Sequence, residues 1–244
     1  MIRAVAVAFL LCLALASPSA GAQFETDTFS TSAGDLTITF IEHATLMIQW
    51  GGKAIHVDPL TQYADYSRLP KADLVLITHE HKDHLDAKAV EAIRTDKTAV
   101  VLTQACASQV QGGIIMGNGE VRTVEGIRIE AVAAYNLVNM RSPGAPYHPK
   151  GQGNGYVLTL GNRRIYVAGD TENTQEVKAL KDIDIAFLPM NLPFTMTPAM
   201  VADAARAFKP KVLYPYHFGE TDTSTLADLL KDTPEVEVRI RKMK

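Results

Sequence analysis

Three histidines and one aspartate, all of which can bind metal ions, lie within one six-residue segment of the chain: His79, His81, Asp83 and His84. The segment 79–84 (HEHKDH) directly follows the apolar, strand-like run 73–78 (DLVLIT). In an extended loop the first two histidines can point to the same side, and the last two residues can then reach a second position. Imidazole nitrogens together with carboxylate oxygens suit Zn²⁺, and also Fe or Mn. The segment therefore predicts a metal site rather than a polar surface loop.

The pattern His-x-His-x-Asp-His after an apolar strand resembles the signature of the metallo-β-lactamase superfamily. Two later residues match that family in type and order: Asp170 in the sequence VAGDT, and His217 in the sequence LYPYH. The resemblance implies that Asp170 bridges two metal ions and that His217 is the last histidine ligand. It also implies that Asp58, in the sequence HVDP, orients the histidine segment from behind the ligands.

Softer features indicate a group within this superfamily. They are the segment 42–45 (EHAT), the Gly-Asp-Thr sequence around Asp170 and the segment 188–190 (LPM). In these features the chain is most similar to the group that includes the ascorbate-6-phosphate lactonases, and more loosely to the N-acyl-phosphatidylethanolamine phospholipases. The resemblance spans roughly residues 36–220. It implies an α/β fold, an αββα sandwich of two mixed β-sheets flanked by helices.

One position departs from the family pattern. Many superfamily members carry a third histidine for the first metal between the histidine segment and the bridging aspartate. The expected position here holds Asn136, and an amide oxygen is a poor Zn²⁺ ligand beside imidazole. His148, in the long irregular stretch 137–155, is the only other histidine in that interval. We predict that His148 supplies the missing ligand; the alternative is a mobile loop histidine that binds substrate or nothing.

Other residues with reactive side chains receive less specific roles. His43, after the first predicted strand, is expected at the site as a ligand, a proton donor or a supporting residue, and with Asp83 it is assigned to catalysis. His56 lies within a strand and is interpreted as a core histidine. Lys150 could meet an anionic substrate, although a solvated loop lysine is the more ordinary interpretation. Cys106 has no basic neighbour in sequence, so we do not expect a nucleophile.

A site with these ligands favours one type of reaction. Two divalent ions, Zn²⁺ before Mn²⁺ or Fe, would lower the pKa of bound water from 15.7 to about 7. The expected activity is hydrolysis of a small-molecule ester, lactone, amide or phosphodiester by a hydroxide held between the two metals. The alternatives are an iron-dependent oxidoreductase on the same scaffold and a non-catalytic binding protein with a degenerate site.

The order of predicted elements is consistent with such a scaffold. Strands are predicted at 36–41, 45–50, 53–57, 73–78, 99–103, 120–124, 127–133, 156–160, 164–168, 184–188, 211–216 and 236–241, and helices at 86–94, 174–181, 198–207 and 224–231. Strands come first and strand–helix alternation follows, twice over. Two mixed sheets packed face to face, with the helices outside, satisfy that order.

The amino-terminal residues 1–22 have the layout of a cleaved signal peptide. Arg3 precedes the apolar run 4–16, and the sequence AGA at 20–22 offers a cleavage site. The run is shorter than the ~20 residues that a spanning helix needs. We therefore predict a periplasmic or secreted hydrolase domain over 23–244, without stable membrane insertion after cleavage.

Charge and cysteine content narrow the remaining possibilities. The formal net charge of −3 argues against nucleic-acid binding. The basic tail, with Arg239 and Arg241 alternating with apolar residues, is interpreted as the solvated face of an edge strand. Once the signal is removed, Cys106 is the only cysteine, so no internal disulfide is expected. The oligomeric state is left unassigned.

Overall fold

Residues 24–244 are described by the computed structural model, so the predicted signal segment 1–22 lies outside the described residues. The first sheet has seven strands in chain order. They are β1 (Glu25–Thr31), β2 (Gly34–Glu42), β3 (Thr45–Trp50), β4 (Lys53–Val57), β5 (Leu74–Leu76), β6 (Ala99–Leu102) and β7 (Ile114–Ile115). Strands β1 to β4 pair antiparallel, and β4 to β7 pair parallel.

The remaining strands form a second seven-stranded sheet and a small hairpin. They are β8 (Val121–Val124), β9 (Ile127–Ala134), β10 (Met140–Ser142), β11 (Ala145–Pro146), β12 (Gly153–Leu160), β13 (Arg163–Val167), β14 (Ile185–Pro189), β15 (Val212–Tyr216) and β16 (Glu237–Val238). The second sheet runs β16-β15-β14-β13-β12-β9-β8, and β10 pairs with β11 alone. Strands β13 to β16 are parallel, whereas β8, β9, β12 and β13 are antiparallel.

Among residues 24–244, four α-helices lie outside the sheets: α1 (Ala87–Ile93), α2 (Gln175–Lys178), α3 (Pro198–Phe208) and α4 (Ser224–Leu230). Two short 3₁₀ helices, Tyr66–Arg68 and Gln104–Cys106, complete the structure. Apolar side chains from both sheets form the central core. A second apolar cluster joins the second sheet to α2, α3 and α4, and a third joins the first sheet to α1. The predicted αββα layering is therefore confirmed.

The helix ends follow from local chemistry. The side chain of Asp86 accepts a hydrogen bond from the backbone N–H of Lys88 and begins α1, as its sequence position predicts. Pro198 occupies the first turn of α3, where its missing N–H leaves no bond unmade, and Thr197 caps that turn. Within the described range 24–244 there is no helix with the length and apolar character needed to cross a bilayer.

Both ends of this region differ from the sequence analysis, which places its first strand at 36–41 and a solvated edge strand at 236–241. The polar stretch before residue 34 forms β1, an edge strand paired along its length with β2. The tail forms a strand only at Glu237–Val238, and its arginines are not a solvated face. Instead Nη2 of Arg241 lies 2.7 and 2.8 Å from the two carboxylate oxygens of Asp27 on β1. Nη1 of Arg239 lies 3.4 Å from the same carboxylate. The charges pair because β1 and the tail meet at one edge of the sandwich.

Candidate metal centre

Every predicted site residue follows the carboxyl end of a strand. His43 follows β2, the histidine segment follows β5, Asp170 follows β13 and His217 follows β15. His148 lies between the hairpin β10–β11 and β12. These ends meet at one edge of the sandwich, and the structure brings all of the predicted site residues together there.

The first ligand group consists of three histidines. The ring nitrogens of His79, His81 and His148 lie within 4.8 Å of one another. Nε2 of His79 is 3.1 Å from Nδ1 of His81, so two nitrogen lone pairs can face one point. His148 thus lies beside His79 and His81, where the family pattern expects a third histidine and the sequence has Asn136. That His148 binds a metal ion remains a prediction.

The second ligand group combines a carboxylate with histidines. Atoms of Asp83, His84, His217 and His43 lie within 4.8 Å of one another. Nε2 of His217 and Nε2 of His43 are each 3.5 Å from Oδ2 of Asp83. The His43 and His217 rings are in contact, with centroids 3.7 Å apart. His43 therefore lies at the site itself, beside the group that the histidine segment and His217 form.

Asp170 lies between the two groups. Its Oδ2 atom is 3.2 Å from Nε2 of His148 and 3.9 Å from Nε2 of His79. Its Oδ1 atom is 3.3 Å from Nε2 of His84 and 3.6 Å from Nε2 of His217. One carboxylate therefore presents one oxygen to each group, which is the geometry that a bridging ligand requires.

The backbone before Asp170 requires glycine. Gly169 has a φ of +62°, and a Cβ atom there would lie 2.8 Å from the carbonyl oxygen of Asn154. A side chain would therefore clash with β12 while also straining the backbone. The Gly-Asp sequence after β13 thus allows the strand end to turn the carboxylate into the centre.

Several buried atoms of the site lack hydrogen-bond partners. Among the described residues these include Nε2 of His84, Nε2 of His217 and Oδ1 of Asp170. The two histidine nitrogens lie 3.3 and 3.6 Å from this aspartate oxygen, but neither pair forms a hydrogen bond. Buried polar atoms without partners cost free energy unless a ligand satisfies them. Lone pairs of this kind directed at a common point fit divalent ions well.

Asp58 positions the second group from behind. Its carboxylate accepts hydrogen bonds from the backbone N–H and the hydroxyl of Thr78, at 2.8 and 2.7 Å. Its Oδ2 atom is 2.8 Å from Nδ1 of His84. With Nδ1 engaged as a donor, Nε2 of His84 points toward Asp170, which is the orientation that a ligand histidine needs.

Asn136 performs the same task for the first group. Its Oδ1 atom accepts the backbone N–H of His148 at 2.7 Å and lies 2.8 Å from Nδ1 of the same residue. This contact directs Nε2 of His148 toward Asp170. The position that sequence comparison treats as a lost ligand therefore holds a side chain that orients the replacement.

Glu172 fixes the segment that carries Asn136. This buried carboxylate accepts hydrogen bonds from the side-chain amide of Asn136 and from three consecutive backbone N–H groups, at 2.8 to 3.0 Å. The three backbone donors belong to Leu137, Val138 and Asn139. The sequence predicted neither the orienting role of Asn136 nor the role of Glu172. The only sequence feature that pointed to Glu172 was its position two residues after the predicted bridging aspartate.

Three residues of the centre have left-handed backbone conformations. The φ angles are +56° at His43, +43° at Asp58 and +46° at His217. Non-glycine residues rarely adopt this region, and such strain is concentrated at functional sites. The backbone N–H of His217 donates to the carbonyl of His43 at 3.0 Å, so the two strand ends hold each other in place.

The charges of the centre keep Asp170 ionised. Burial alone would raise its pKa, but the charges of His217 and His84 outweigh it and hold the pKa well below the ordinary value. Burial would likewise lower the pKa of His84, whereas Asp170 and Asp58 raise it well above the ordinary value, so a metal ion that binds Nε2 would displace a proton and leave the imidazole neutral. An anion is therefore maintained between the two groups of nitrogens.

A cleft with two adjoining lobes opens onto this centre. The smaller lobe has a volume of about 230 Å³ and the larger about 440 Å³. The residues that line both are His81, Arg141, Tyr147, His148 and Asp170. The cleft is large enough for a small molecule that reaches the candidate ligands.

Three residues from the sequence analysis lie outside the centre. His56 is buried in the sheet, with Nε2 3.0 Å from the carbonyl of Pro70, as a core histidine should be. Cys106 is also buried, and burial raises the pKa of its thiol to about 11, which makes it a poor nucleophile. Lys150 is a solvated loop lysine, as the sequence analysis favours, and its exposed ammonium lies 2.6 Å from Glu176.

Comparison with known proteins agrees with the geometry. The family model described as the beta-lactamase superfamily domain matches residues 37–217. A UPF0173 metal-dependent hydrolase of Pelotomaculum thermopropionicum is 28% identical over 84% of this chain and 96% of its own length. A relative of the same name from Thermococcus onnurineus is 31% identical over 82% of this chain and 94% of its own length.

A solved structure agrees over nearly the whole chain. It comes from Parabacteroides distasonis and carries the provisional name of a metal-dependent hydrolase. The two proteins are 48% identical, with a TM-score of 0.87, over 91% of this chain and 100% of the other. None of these comparisons points to the ascorbate-6-phosphate lactonases, so that narrower resemblance stays a prediction.

Proposed function

We infer the reaction from one premise: the chain belongs to the metallo-β-lactamase superfamily, and these relatives are named metal-dependent hydrolases. We propose that it hydrolyses an ester, lactone, amide or phosphodiester of a small molecule with two divalent ions, for which Zn²⁺ is best suited and Mn²⁺ or Fe are the alternatives. The observation that carries this proposal is Asp170, whose two oxygens face two separate ligand groups.

The charges of the proposed ligands favour substrates that become more negative as they react. Five neutral histidines and two carboxylates leave two of the four positive charges of the ions uncompensated. Bound as a pair, such ions supply Lewis acidity and make a water molecule acidic enough to ionise near neutral pH. A carbonyl or phosphoryl group under attack develops the negative charge that this site stabilises.

We assign proton transfer to Asp83 and His43. The side chain of Asp83 is half exposed and lines the larger lobe, and Nε2 of His43 supports it from 3.5 Å. The attacking water loses a proton as its oxygen bonds to the carbonyl carbon or the phosphorus. Asp83 accepts this proton and returns it to the leaving oxygen or nitrogen as the scissile bond breaks.

Hydrolysis assays with defined metal content test the proposal. A panel of lactones, phosphodiesters and β-lactams should contain at least one substrate whose hydrolysis stops after chelation and returns with Zn²⁺ or Mn²⁺. Asp170→Asn should reduce that rate by at least about a hundredfold. Asparagine replaces one of the two carboxylate oxygens with an NH₂ group and removes the negative charge, so the side chain can no longer offer an anionic oxygen to each ligand group. The matched control is Asp203→Asn, a surface change that removes only contacts to Lys178 and Asn173. Undiminished hydrolysis by metal-free protein would contradict the proposal.

We also propose that the protein is exported and cleaved after Ala22. The support is sequence alone, namely Arg3, the apolar run 4–16 and the cleavage pattern at 20–22. Mass spectrometry of protein recovered from the periplasm or the medium should show Gln23 as its first residue. Recovery of a membrane-bound chain that starts at Met1 would contradict export with cleavage.

A further inference from the structure

We propose that the substrate carries an anionic group, a carboxylate or a phosphate, which Arg141 binds in the larger lobe of the cleft while the scissile bond lies at the metal centre. This inference rests on the proposed hydrolytic function and adds a substrate class to it. Sequence reasoning assigned no role to Arg141 and considered Lys150 for this task.

Arg141 is a cation without a carboxylate partner. Among residues 24–244, seven arginines form ion pairs within 4.0 Å: Arg94, Arg122, Arg128, Arg163, Arg164, Arg239 and Arg241. Arg141 forms none of these pairs, although it lines both lobes of the cleft. Its guanidinium carbon lies 5.8 Å from the ring centroid of Tyr147, within the range of a cation–π contact at the cleft wall.

The two lobes differ in charge, and the difference selects the larger one. The smaller lobe includes Glu80, whose carboxylate would oppose an anion. The larger lobe includes Lys82, which, like Arg141, has no carboxylate within 4.0 Å among the described residues. The carboxylates of the larger lobe are Asp83 and Asp170, and both belong to the proposed ligand set. If Asp83 and Asp170 bind the metal ions, the positive charges of Lys82 and Arg141 remain without a carboxylate partner in this lobe and can attract an anion.

The remaining wall of the larger lobe is aromatic. Tyr147 and Phe194 line it and meet edge to face, with centroids 5.0 Å apart. A guanidinium beside such a wall suits an anionic group attached to an apolar body, because Arg can donate two parallel hydrogen bonds to a carboxylate or phosphate. Lys150 lines neither lobe, and its ammonium lies 2.6 Å from Glu176, so it is not positioned for this role.

Matched chromogenic esters test the inference on the metal-loaded protein. The probes are para-nitrophenyl butyrate, which is neutral, mono-para-nitrophenyl succinate, which ends in a carboxylate, and para-nitrophenyl phosphonoacetate. Arg141→Gln should lower kcat/KM for at least one anionic probe by about five- to tenfold and leave the neutral probe unchanged. Arg141→Lys should recover part of the loss. The anionic probe that loses more identifies the preferred group.

Arg68→Gln provides the matched control. It removes one exposed arginine that lies in a 3₁₀ helix and lines neither lobe, so it changes net charge equally. It should leave the ratio of anionic to neutral rates unchanged. Equal losses on all three probes in Arg141→Gln, or no loss on any, would overturn the assignment.

Binding measurements separate this inference from the proposed function. If the wild-type protein hydrolyses none of the esters, calorimetry with succinate and phosphonoacetate still reports on Arg141. Weaker binding of either anion to Arg141→Gln, at unchanged metal content, would support anion recognition even then. Identical affinities in both proteins would overturn it, whatever the result of the hydrolysis assays.

Discussion

At the scale of single residues, the most informative contact is between Asn136 and His148. The amide oxygen engages Nδ1 of the imidazole, and Nε2 is left to face Asp170. A carbonyl partner on one ring nitrogen fixes both the tautomer and the direction of the other nitrogen. The residue types in the chain allowed His148 to be predicted at the site. They could not show that Asn136 orients it, because that contact depends on how the loop folds back.

The first prediction concerns metal content. His148→Ala should lower the number of bound ions from two toward one, because the first group would keep only two histidines and the shared aspartate. Elemental mass spectrometry of purified protein measures this directly. His56→Gln, which changes a histidine away from the centre, should leave the metal content unaltered. Equal metal content in wild type and His148→Ala would refute the ligand assignment.

The second prediction concerns the pH dependence of stability. Burial lowers the pKa of His56 to about 4, although its contact with the Pro70 carbonyl works in the opposite direction. In the unfolded chain the histidine pKa is about 6.5. Between these values the unfolded state binds a proton that the native state does not. The native state should therefore lose about 3 kcal/mol from this residue as the pH falls from 6.5 to 4.

Urea unfolding of wild type and His56→Gln, at a series of pH values, isolates that contribution. The variant should lose less stability than wild type over the interval from pH 6.5 to 4. Parallel curves would show that His56 is protonated in the native state and would contradict the assigned pKa. Comparing the two proteins cancels the titration of the histidines at the centre.

At the scale of elements, Glu172 connects the strand ends to the loop that carries His148. Its single carboxylate satisfies three backbone N–H groups and the amide of Asn136. Without it, the three backbone N–H groups and the side-chain amide of the buried Asn136 would lose this acceptor. The loop is therefore ordered by its own hairpin, β10–β11, together with an anion from the segment that follows β13, two residues beyond Asp170.

The third prediction is that Glu172→Gln loosens this loop. A glutamine presents one acceptor and one donor where four donors converge, so the free energy of unfolding should fall by about 2–4 kcal/mol. Hydrogen exchange should increase at residues 137–148, and the first ion should bind more weakly. Glu176→Gln is the control, since it removes a partly exposed pair with Lys150 that should contribute about 1 kcal/mol or less. Unchanged exchange in Glu172→Gln would contradict the proposed role.

The elements that the sequence predicts well are those with strong alternation. Strands β3 and β4 are found at the predicted residues, and α3 begins at Pro198 as its sequence suggests. The prediction misses β1 because its residues are mostly polar and its stability comes from pairing with β2. It also misses the hairpin β10–β11, whose strands of three and two residues are too short to show a period.

At the scale of the whole molecule, an ion pair and a hydrogen bond connect the two sheets at one edge of the sandwich. Asp27 on β1 of the first sheet contacts Arg241 in the tail and the hydroxyl of Tyr214 in the second sheet. Burial alone would raise the pKa of Asp27, but hydrogen bonds from Tyr214 and Arg241 outweigh it and lower the pKa. This contact links residues more than 180 positions apart, so no local pattern could have predicted it.

The fourth prediction follows from that lowered pKa. Asp27→Asn should reduce the free energy of unfolding by about 2 kcal/mol at pH 6. The contribution of the carboxylate is present above its unfolded pKa of about 3.9 and is lost as the pH falls through the lower native value. The difference from wild type should therefore shrink below pH 4. Asp35→Asn, on the exposed start of β2, should have little effect at any pH. A difference that does not vary with pH would contradict the ion pair.

Contacts between residues that are distant in sequence also limit how much of the metal centre can be predicted from the sequence. The histidine segment is recognisable because its residues are close along the chain. Asp170 and His217 are recognisable only through a resemblance, because they approach the segment when both sheets assemble. Arg141 and Glu172 carry no sequence signal of comparable strength, since their roles arise from a lobe and a loop that exist only in the folded protein.

We propose that this protein holds two ions, one on each side of Asp170. Anomalous X-ray diffraction at the absorption edge of the bound metal, from crystals of the purified protein, tests it most directly. We expect two peaks, one beside His79, His81 and His148 and one beside Asp83, His84 and His217, with one oxygen of Asp170 directed at each. A single peak, or a pair that His148 does not contact, would contradict it.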